Sequence, residues 1–528
     1  MKRRDFLQST LAGAAAAHIR IPFELPQPFE WQNASLADLQ RALADGRLTS
    51  QSLATNYLAR IDAMDRRGPM LRAVIELNPD AMAQAAALDG ERKARGPRGP
   101  LHGIPVLIKD NIATADAMAT TAGSLALEGT RVPRDAFIAE RLRAAGAIIL
   151  GKSNLSEWAN FRSTHSTSGW SGRGGQCRNS YALDRTPCGS SSGSATGVAS
   201  DFCAVAVGTE TDGSIICPSS VQSLVGIKPT LGLVSRSGIV PLAHSQDTAG
   251  PMARTVADAA ALLGVLAGAD PRDAITLRRA GAVPDYTRFL DPAGLKGARI
   301  GVARKHFFGN DPRTDKLMEE AVAAMKSAGA VIVDPADLAT TGKYDDSEFE
   351  VLLYEFKADL NAYLAGLGPT SPVKTLADVI AFNEKNADRE LQYFGQEIML
   401  MAEKKGPLTT PAYRKALARN RRLAGTLGID ALVQRHHLDA IVAPSNAPPW
   451  LLDLVTGDHG AGGSSTSPAA VAGYPSITVP AGYSFGLPVG ISFFGPAWTE
   501  PTLIRVAYAF EQATRLRRPP RFLPTAEV

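Results

Sequence analysis

The sequence predicts one large α/β domain, a central mixed β-sheet flanked by helices, and three observations carry that prediction. Short apolar runs alternate with amphipathic helical patterns along most of the chain. No internal repeat or linker divides the 528 residues, although length alone would suggest about three or four domains. The composition, 45% hydrophobic and 20% charged, is that of a globular protein able to fill a large core.

The elements follow in order. Ser35 to Leu43 and Ser52 to Met64 set Leu36, Leu39 and Leu43, then Leu53, Tyr57, Leu58 and Ile61, at helical spacing, with Ser35 as an N-cap. Apolar runs at Ile104 to Ile108, Ala147 to Leu150 and Cys203 to Val207 predict buried strands, separated by helical patterns such as Phe137 to Ala145. The alternation resumes at Arg299 to Val302, Thr314 to Ala328 (helical), Val331 to Val333, Ala440 to Val442, Ser476 to Val479 and Val489 to Phe493. Between residues 347 and 437 the strand signals vanish and polar helical patterns take over, including Leu376 to Asp388 and Tyr413 to Ala424. This predicts an inserted helical region that packs around the sheet or walls a pocket.

Charge and the chain ends narrow the function classes. Lys and Arg number 56 against 52 Asp and Glu, a formal +4 with no basic block, so nucleic acid is not an expected partner. No apolar run is long enough to cross a bilayer. The start, MKRRDFLQSTLAGAAAAH, sets Arg3 and Arg4 before Phe6, Leu7 and an Ala-rich stretch. Residues 1–30 therefore read as a twin-arginine-type export signal, cleaved between Ala14 and His18, and residues 31–528 as a periplasmic or secreted domain, a monomer or homodimer without membrane attachment. Cys177, Cys188, Cys203 and Cys217 share one stretch. Export permits disulfides, and four cysteines allow three connectivities. The preferred reading is small buried thiols, because a chain of this size has core enough without cross-links.

None of the eight histidines sits in a zinc-binding spacing, so no metal is expected. The densest unusual segment, Thr186 to Ser220, carries two Ser-bearing Gly loops around an apolar strand. Serine becomes a nucleophile only beside a proton acceptor, and N–H groups freed by tight turns can stabilise an oxyanion. Lys109 ends the apolar run of GIPVLIKDN. A lysine stripped of water loses basicity and can accept a proton at neutral pH. Two rival motifs occur. Gly189 to Gly193 fits GxSxG, which would make Ser191 an α/β-hydrolase nucleophile, but Pro187 breaks the strand such an elbow needs. Ser371 to Lys374 fits SxxK without its companion motifs.

Together GIPVLIKD, the loop at Gly189 to Gly193 and GTETDGSIICP resemble the amidase signature family, and Ser214 follows Ser190 by 24 positions as in that family. The resemblance runs to the closing SSTSPAAVAGYPSITVPAG. It implies Ser214 as nucleophile, Ser190 as bridging serine after a cis Gly189–Ser190 peptide, Lys109 as base, and the N–H groups of Thr211, Asp212, Gly213 and Ser214 as oxyanion hole. It implies hydrolysis of a small-molecule or peptide amide through an acyl-enzyme, with no cofactor. The chain departs from the common pattern at Ser192 and Asp212, where Gly is usual, and at Cys217, where Arg is frequent. With Ser166 to Gln176, STSGWSGRGGQ, these features look most like the peptide amidase branch, with Asp212 and Ser191 as substrate contacts. The alternatives are a broad aliphatic or aryl amidase, a catalytically silent binding protein and an amidotransferase-like subunit.

Overall fold

The computed structural model describes residues 23–278, 285–369, 371–460 and 462–528; the twin-arginine stretch and its expected cleavage region lie outside them. Phe23 and Phe29 already pack on the core, Phe29 edge-on to Tyr57 at 5.8 Å. The folded domain thus begins ahead of residue 31, where the sequence reading places its start.

In chain order the strands are β1 (Val74–Leu77), β2 (Pro105–Lys109), β3 (Ile148–Ser153), β4 (Trp170–Ser171), β5 (Gly175–Gln176), β6 (Val205–Glu210), β7 (Val225–Lys228), β8 (Thr248–Ala253), β9 (Arg299–Val302), β10 (Val331–Val333), β11 (Ala440–Pro444), β12 (Ser476–Ser484) and β13 (Leu487–Phe494). β4 and β5 form a small ribbon, and the other eleven join one sheet in the order β1-β3-β2-β6-β8-β7-β12-β13-β11-β9-β10. Two parallel groups, β3-β2-β6 and β11-β9-β10, flank an antiparallel middle. Every residue of β2, β3 and β6 is buried, because helices cover both faces of parallel strands and continuous apolar runs suit that position. β6 reaches Glu210, three residues past the expected end. β8, with Gly250 and Pro251, and the four-residue β1 and β7 escape the sequence pattern, since such strands carry little alternation.

The opening helices, Leu36–Ala44 and Ser50–Ile61, follow from their caps as well as their apolar faces. Asp38 N donates to Ser35 Oγ at 3.1 Å and Ser35 N returns a bond to Asp38 Oδ2 at 3.3 Å, a capping box worth about 1 kcal/mol.

From Asp345–Gly366 to Ala431–His436 the described chain contains helices and no strand. Leu353, Phe356, Leu360 and Leu364, spaced three and four apart, turn one face of the first helix onto Leu127, Phe161 and neighbouring loop residues as a second core. Arg162 locks this insertion down: buried, it bonds Glu157 at 2.5 Å, lies 3.6 Å from Glu390 and stacks 4.2 Å over Phe394. Among the described residues no helix is long and apolar enough to cross a membrane.

Candidate active site

The ends of β2 and β6 meet beneath the two Ser/Gly loops. Lys109, the last residue of β2, is fully buried. Its Nζ lies 2.7 Å from Ser190 Oγ and donates to Thr209 Oγ1 at 2.9 Å and Thr209 O at 3.2 Å. A neutral amine has two N–H groups and one lone pair; Thr209 takes both donors, which leaves the lone pair for the Ser190 hydroxyl. Burial pulls Lys109 down to about 7, against the upward pull of Asp247 and Glu210. Asn111 Nδ2 also donates to Thr209 Oγ1, at 3.0 Å.

Ser190 precedes the helix Ser192–Ala199, and its carbonyl accepts Ser156 N at 3.1 Å. The Gly189–Ser190 peptide is cis. A Cβ at Gly189 would stand 2.2 Å from Ser156 Oγ, so the close approach requires glycine. Ser191 N donates to Ser214 O at 3.2 Å, joining the two loops. Its side chain corrects the expected substrate contact and agrees with the rejection of the GxSxG reading. Ser191 is fully buried, its Oγ donating to Thr209 O at 3.0 Å and accepting from Thr209 N at 3.2 Å. A hydroxyl so spent on β6 backbone offers neither a nucleophile nor a substrate contact. The SxxK motif dissolves similarly: Ser371 Oγ bonds Val373 O and Lys374 Nζ bonds Gly368 O.

The second loop leaves β6 at Glu210. Gly213 has φ +80°, a left-handed turn. Ser214 is nearly buried, and among the described residues the N–H groups of Asp212, Gly213 and Ser214 donate to no protein acceptor. The following two do: Ile215 N and Ile216 N donate to Glu210 Oε2 at 2.7 and 3.0 Å. Thr211 Oγ1 donates to Asp247 Oδ1 at 2.6 Å, while Asp247 Oδ2 accepts Leu242 N and Ala243 N. Burial raises Asp247 to about 6, opposed by these bonds. Asp212, partly exposed, sets its carboxyl among Ser467, Thr466 and Glu348.

Cys188 and Cys217 form a disulfide, Cα atoms 6.0 Å apart, whereas Cys177 and Cys203 are buried free thiols. The preferred reading of four buried thiols is thus corrected. The physical reason is local: Cys188 stands two residues before Ser190 and Cys217 three after Ser214, so the bond ties together two loops that must keep register.

One opening adjoins this centre, and a second is lined by none of its residues. A cavity of about 480 Å³ is lined by Asn111, Thr209, Thr211, Arg236 and His244. A wider cleft of about 900 Å³ runs between the Trp170 to Gln176 loop, Tyr393 of the insertion and Leu451 to Leu454. His244 pairs with Asp359 at 2.9 Å and approaches Glu355 at 3.4 Å. These three side chains are the one His/Cys/Asp/Glu grouping among the described residues with metal-compatible spacing. Their ligand atoms are engaged in pairing one another.

The amidase family model matches residues 52–504. The chain belongs to the amidase family. A probable amidase of Arabidopsis thaliana is 44% identical over 514 residues, 94% of this chain and 93% of that one. A relative from Pseudomonas syringae, one subunit of the glutamyl-tRNA(Gln) amidotransferase, is 35% identical, over 91% of this chain and 97% of its own. The solved peptide amidase of Stenotrophomonas maltophilia is 53% identical with a TM-score of 0.90, covering 94% of this chain and 100% of that one. This amidase is accordingly a hydrolase of carbon–nitrogen bonds built on one large α/β domain. Sequence reading names Lys109, Ser190, Ser214 and the Thr211–Ser214 turn, and the structure brings them to one place. It misses the parts played by Thr209, Glu210, Asp247 and Glu348; the first two stand inside GTETDGSIICP, where a closer reading of the motif could have found them, whereas Asp247 and Glu348 carry no motif of their own.

Proposed function

We propose that this amidase hydrolyses primary carboxamides through an acyl-enzyme on Ser214, releases ammonia, and prefers C-terminal peptide amides. The observation that carries the reading is the 2.7 Å contact between Ser190 Oγ and the desolvated Lys109 Nζ. Neutral Lys109 takes the Ser190 proton as Ser190 takes that of Ser214, whose Oγ attacks the amide carbon. The N–H groups of Thr211, Asp212, Gly213 and Ser214 receive the oxyanion. The relay returns the proton to the departing nitrogen, and water then cleaves the ester along the same path. No cofactor enters.

The peptide preference is supported by similarity to the peptide amidase of Stenotrophomonas maltophilia. Asp212 accepts a substrate backbone N–H in this reading, a charged bond worth about 1.5–3 kcal/mol. A fluorophosphonate is expected to modify Ser214; an adduct elsewhere ends the nucleophile assignment. The substrate test compares an N-protected dipeptide amide with an aliphatic amide of similar size, in wild type and Asp212→Gly. Equal turnover of the two by wild type, or equal loss in the variant, leaves a broad aliphatic or aryl amidase.

The amidotransferase-like alternative draws on the 35% identity to the Pseudomonas syringae protein and requires ammonia transfer to an acyl-tRNA; ammonia release from a free amide without tRNA decides against it. Export by the twin-arginine signal is part of the same proposal, checked by an N-terminus between residues 14 and 18 on protein recovered outside the cytoplasm.

A further inference from the structure

Glu348 sits in the first turn of the helix Asp345–Gly366, where the insertion begins. Its carboxyl meets that of Asp212, two residues before Ser214. Gln246 Nε2 bridges the pair to the catalytic loop, donating to Glu348 Oε1 at 2.9 Å and Thr211 O at 3.3 Å. Asp212 Oδ1 is buried and has no hydrogen-bond partner among the described residues, while the Ser467 and Thr466 hydroxyls stand against the same carboxyl. A buried acceptor without a donor costs about 1–3 kcal/mol, and two carboxylates in contact do not both stay ionised. A proton on Glu348 answers both difficulties.

We propose that Glu348, held as the neutral acid, donates to Asp212 and thereby positions the Thr211 to Ser214 loop, so that the helical insertion lends the active site a positioning residue. The proposal deepens the amidase reading and rests on Ser214 being the nucleophile; it does not depend on peptide preference. The groups facing the pair agree with it. Asp345 comes from Glu348's own helix, with Tyr344 just ahead of it; Thr466 and Ser467 come from the start of the helix Ser467–Ala472, Glu210 from β6, and Lys228 from β7 as the cation. Burial foremost, and then the charge of Asp212, raise Glu348 well above the ordinary carboxyl range. Alkaline pH removes the shared proton, leaves two adjacent anions, and pushes the loop from the insertion.

The test is the pH profile of kcat and KM for a simple aliphatic amide, with phosphonate labelling of Ser214 as a second readout, in wild type, Glu348→Gln and Glu348→Ala. Glutamine reproduces the protonated acid, accepting from Gln246 and donating to Asp212. Wild type should show an alkaline limb in kcat. Glu348→Gln should keep most of the neutral rate and lose that limb, and Glu348→Ala should lose about tenfold in kcat across the range with little change in KM, as expected for one lost buried bond. A limb that persists in the glutamine variant, a wild type without one, or an alanine variant at wild-type rates overturns the proposal. If the alanine variant fails to fold, the glutamine profile decides alone. Phosphonate mapped away from Ser214 in wild type marks failure of the nucleophile assignment and takes this proposal with it, whereas indifference to peptide amides does not.

Discussion

Lys109 and Lys152 are buried lysines near the ends of neighbouring parallel strands, β2 and β3, and they differ in what their amines touch. Ile108 pairs with Lys152 across the ladder, so the period-two pleat sends Lys109 and Lys152 to opposite faces of the sheet. Lys109 ends on hydroxyls and one carbonyl, with Asp247 and Glu210 acting only through space. Lys152 donates to Ile112 O at 2.5 Å and Thr120 Oγ1 at 2.9 Å, beside the buried Asp110. Burial lowers both, Lys109 to about 7 and Lys152 to about 8, with Asp110 pulling the latter back up. The difference teaches that desolvation alone does not make a base. Both amines meet a hydroxyl and a carbonyl; Lys109 becomes part of a relay because its Ser190 hydroxyl stands beside the Ser214 loop, whereas the Thr120 hydroxyl and Ile112 carbonyl leave Lys152 a strut.

Exchanging each amine for a thioether of similar length breaks the comparison most sharply. Lys109→Met should lower kcat/KM by at least about a thousandfold, in keeping with other residues of catalytic units, with an unfolding temperature equal to or above that of wild type. Lys152→Met leaves Ile112 O and Thr120 Oγ1 without their buried donor and should cost about 1–3 kcal/mol of stability. Its folded fraction should keep kcat within about tenfold of wild type, since no reacting atom is touched. Denaturant unfolding and initial rates on the same samples separate the two. Reversed outcomes, with Lys152→Met inactive and stable, would make Lys152 the functional amine.

The pH dependence sharpens the contrast further. Activity needs neutral Lys109, so kcat/KM should fall as pH drops through about 7. Stability carries the same signature with its own sign: between about 7 and the ordinary lysine value of 10.5 the unfolded chain holds a proton that folded Lys109 does not, so this group makes stability rise with pH across that window. The rise should be shallower in Lys109→Met. The smallest expected effect is that of a histidine-selective reagent, which should leave the rate within about twofold, because no histidine belongs to the relay. Strong inactivation would implicate His244, on the cavity wall by Thr211.

The parts legible in the sequence were those written in consecutive residues. β2 and β6 announce themselves as apolar runs, and Lys109, Ser190 and Ser214 stand in local motifs. Asp247 and Glu348 are invisible at that level, because each acts on the Thr211–Ser214 loop from 30 or more residues away and neither lies in a pattern; only the fold supplies the contact. Ser191 shows the opposite failure: a motif position promises chemistry, and the packing against β6 withdraws it. The cysteines fall between. Their proximity in sequence is plain, but which two of the four meet depends on how both loops turn over the strand ends.

The insertion leaves the sheet after β10 and returns at β11, strands separated only by β9 at the edge far from Lys109. Its attachment points and the chemistry are therefore on different halves of the ladder. An insertion anchored there can lengthen, shorten or change its surface without disturbing a hydrogen bond between β2 and β6, while residues such as Tyr393 still reach the cleft. The architecture thus lets the rest of the insertion diverge under selection, or be grafted by an engineer, while its first turn, through Glu348, stays tied to the machinery it serves.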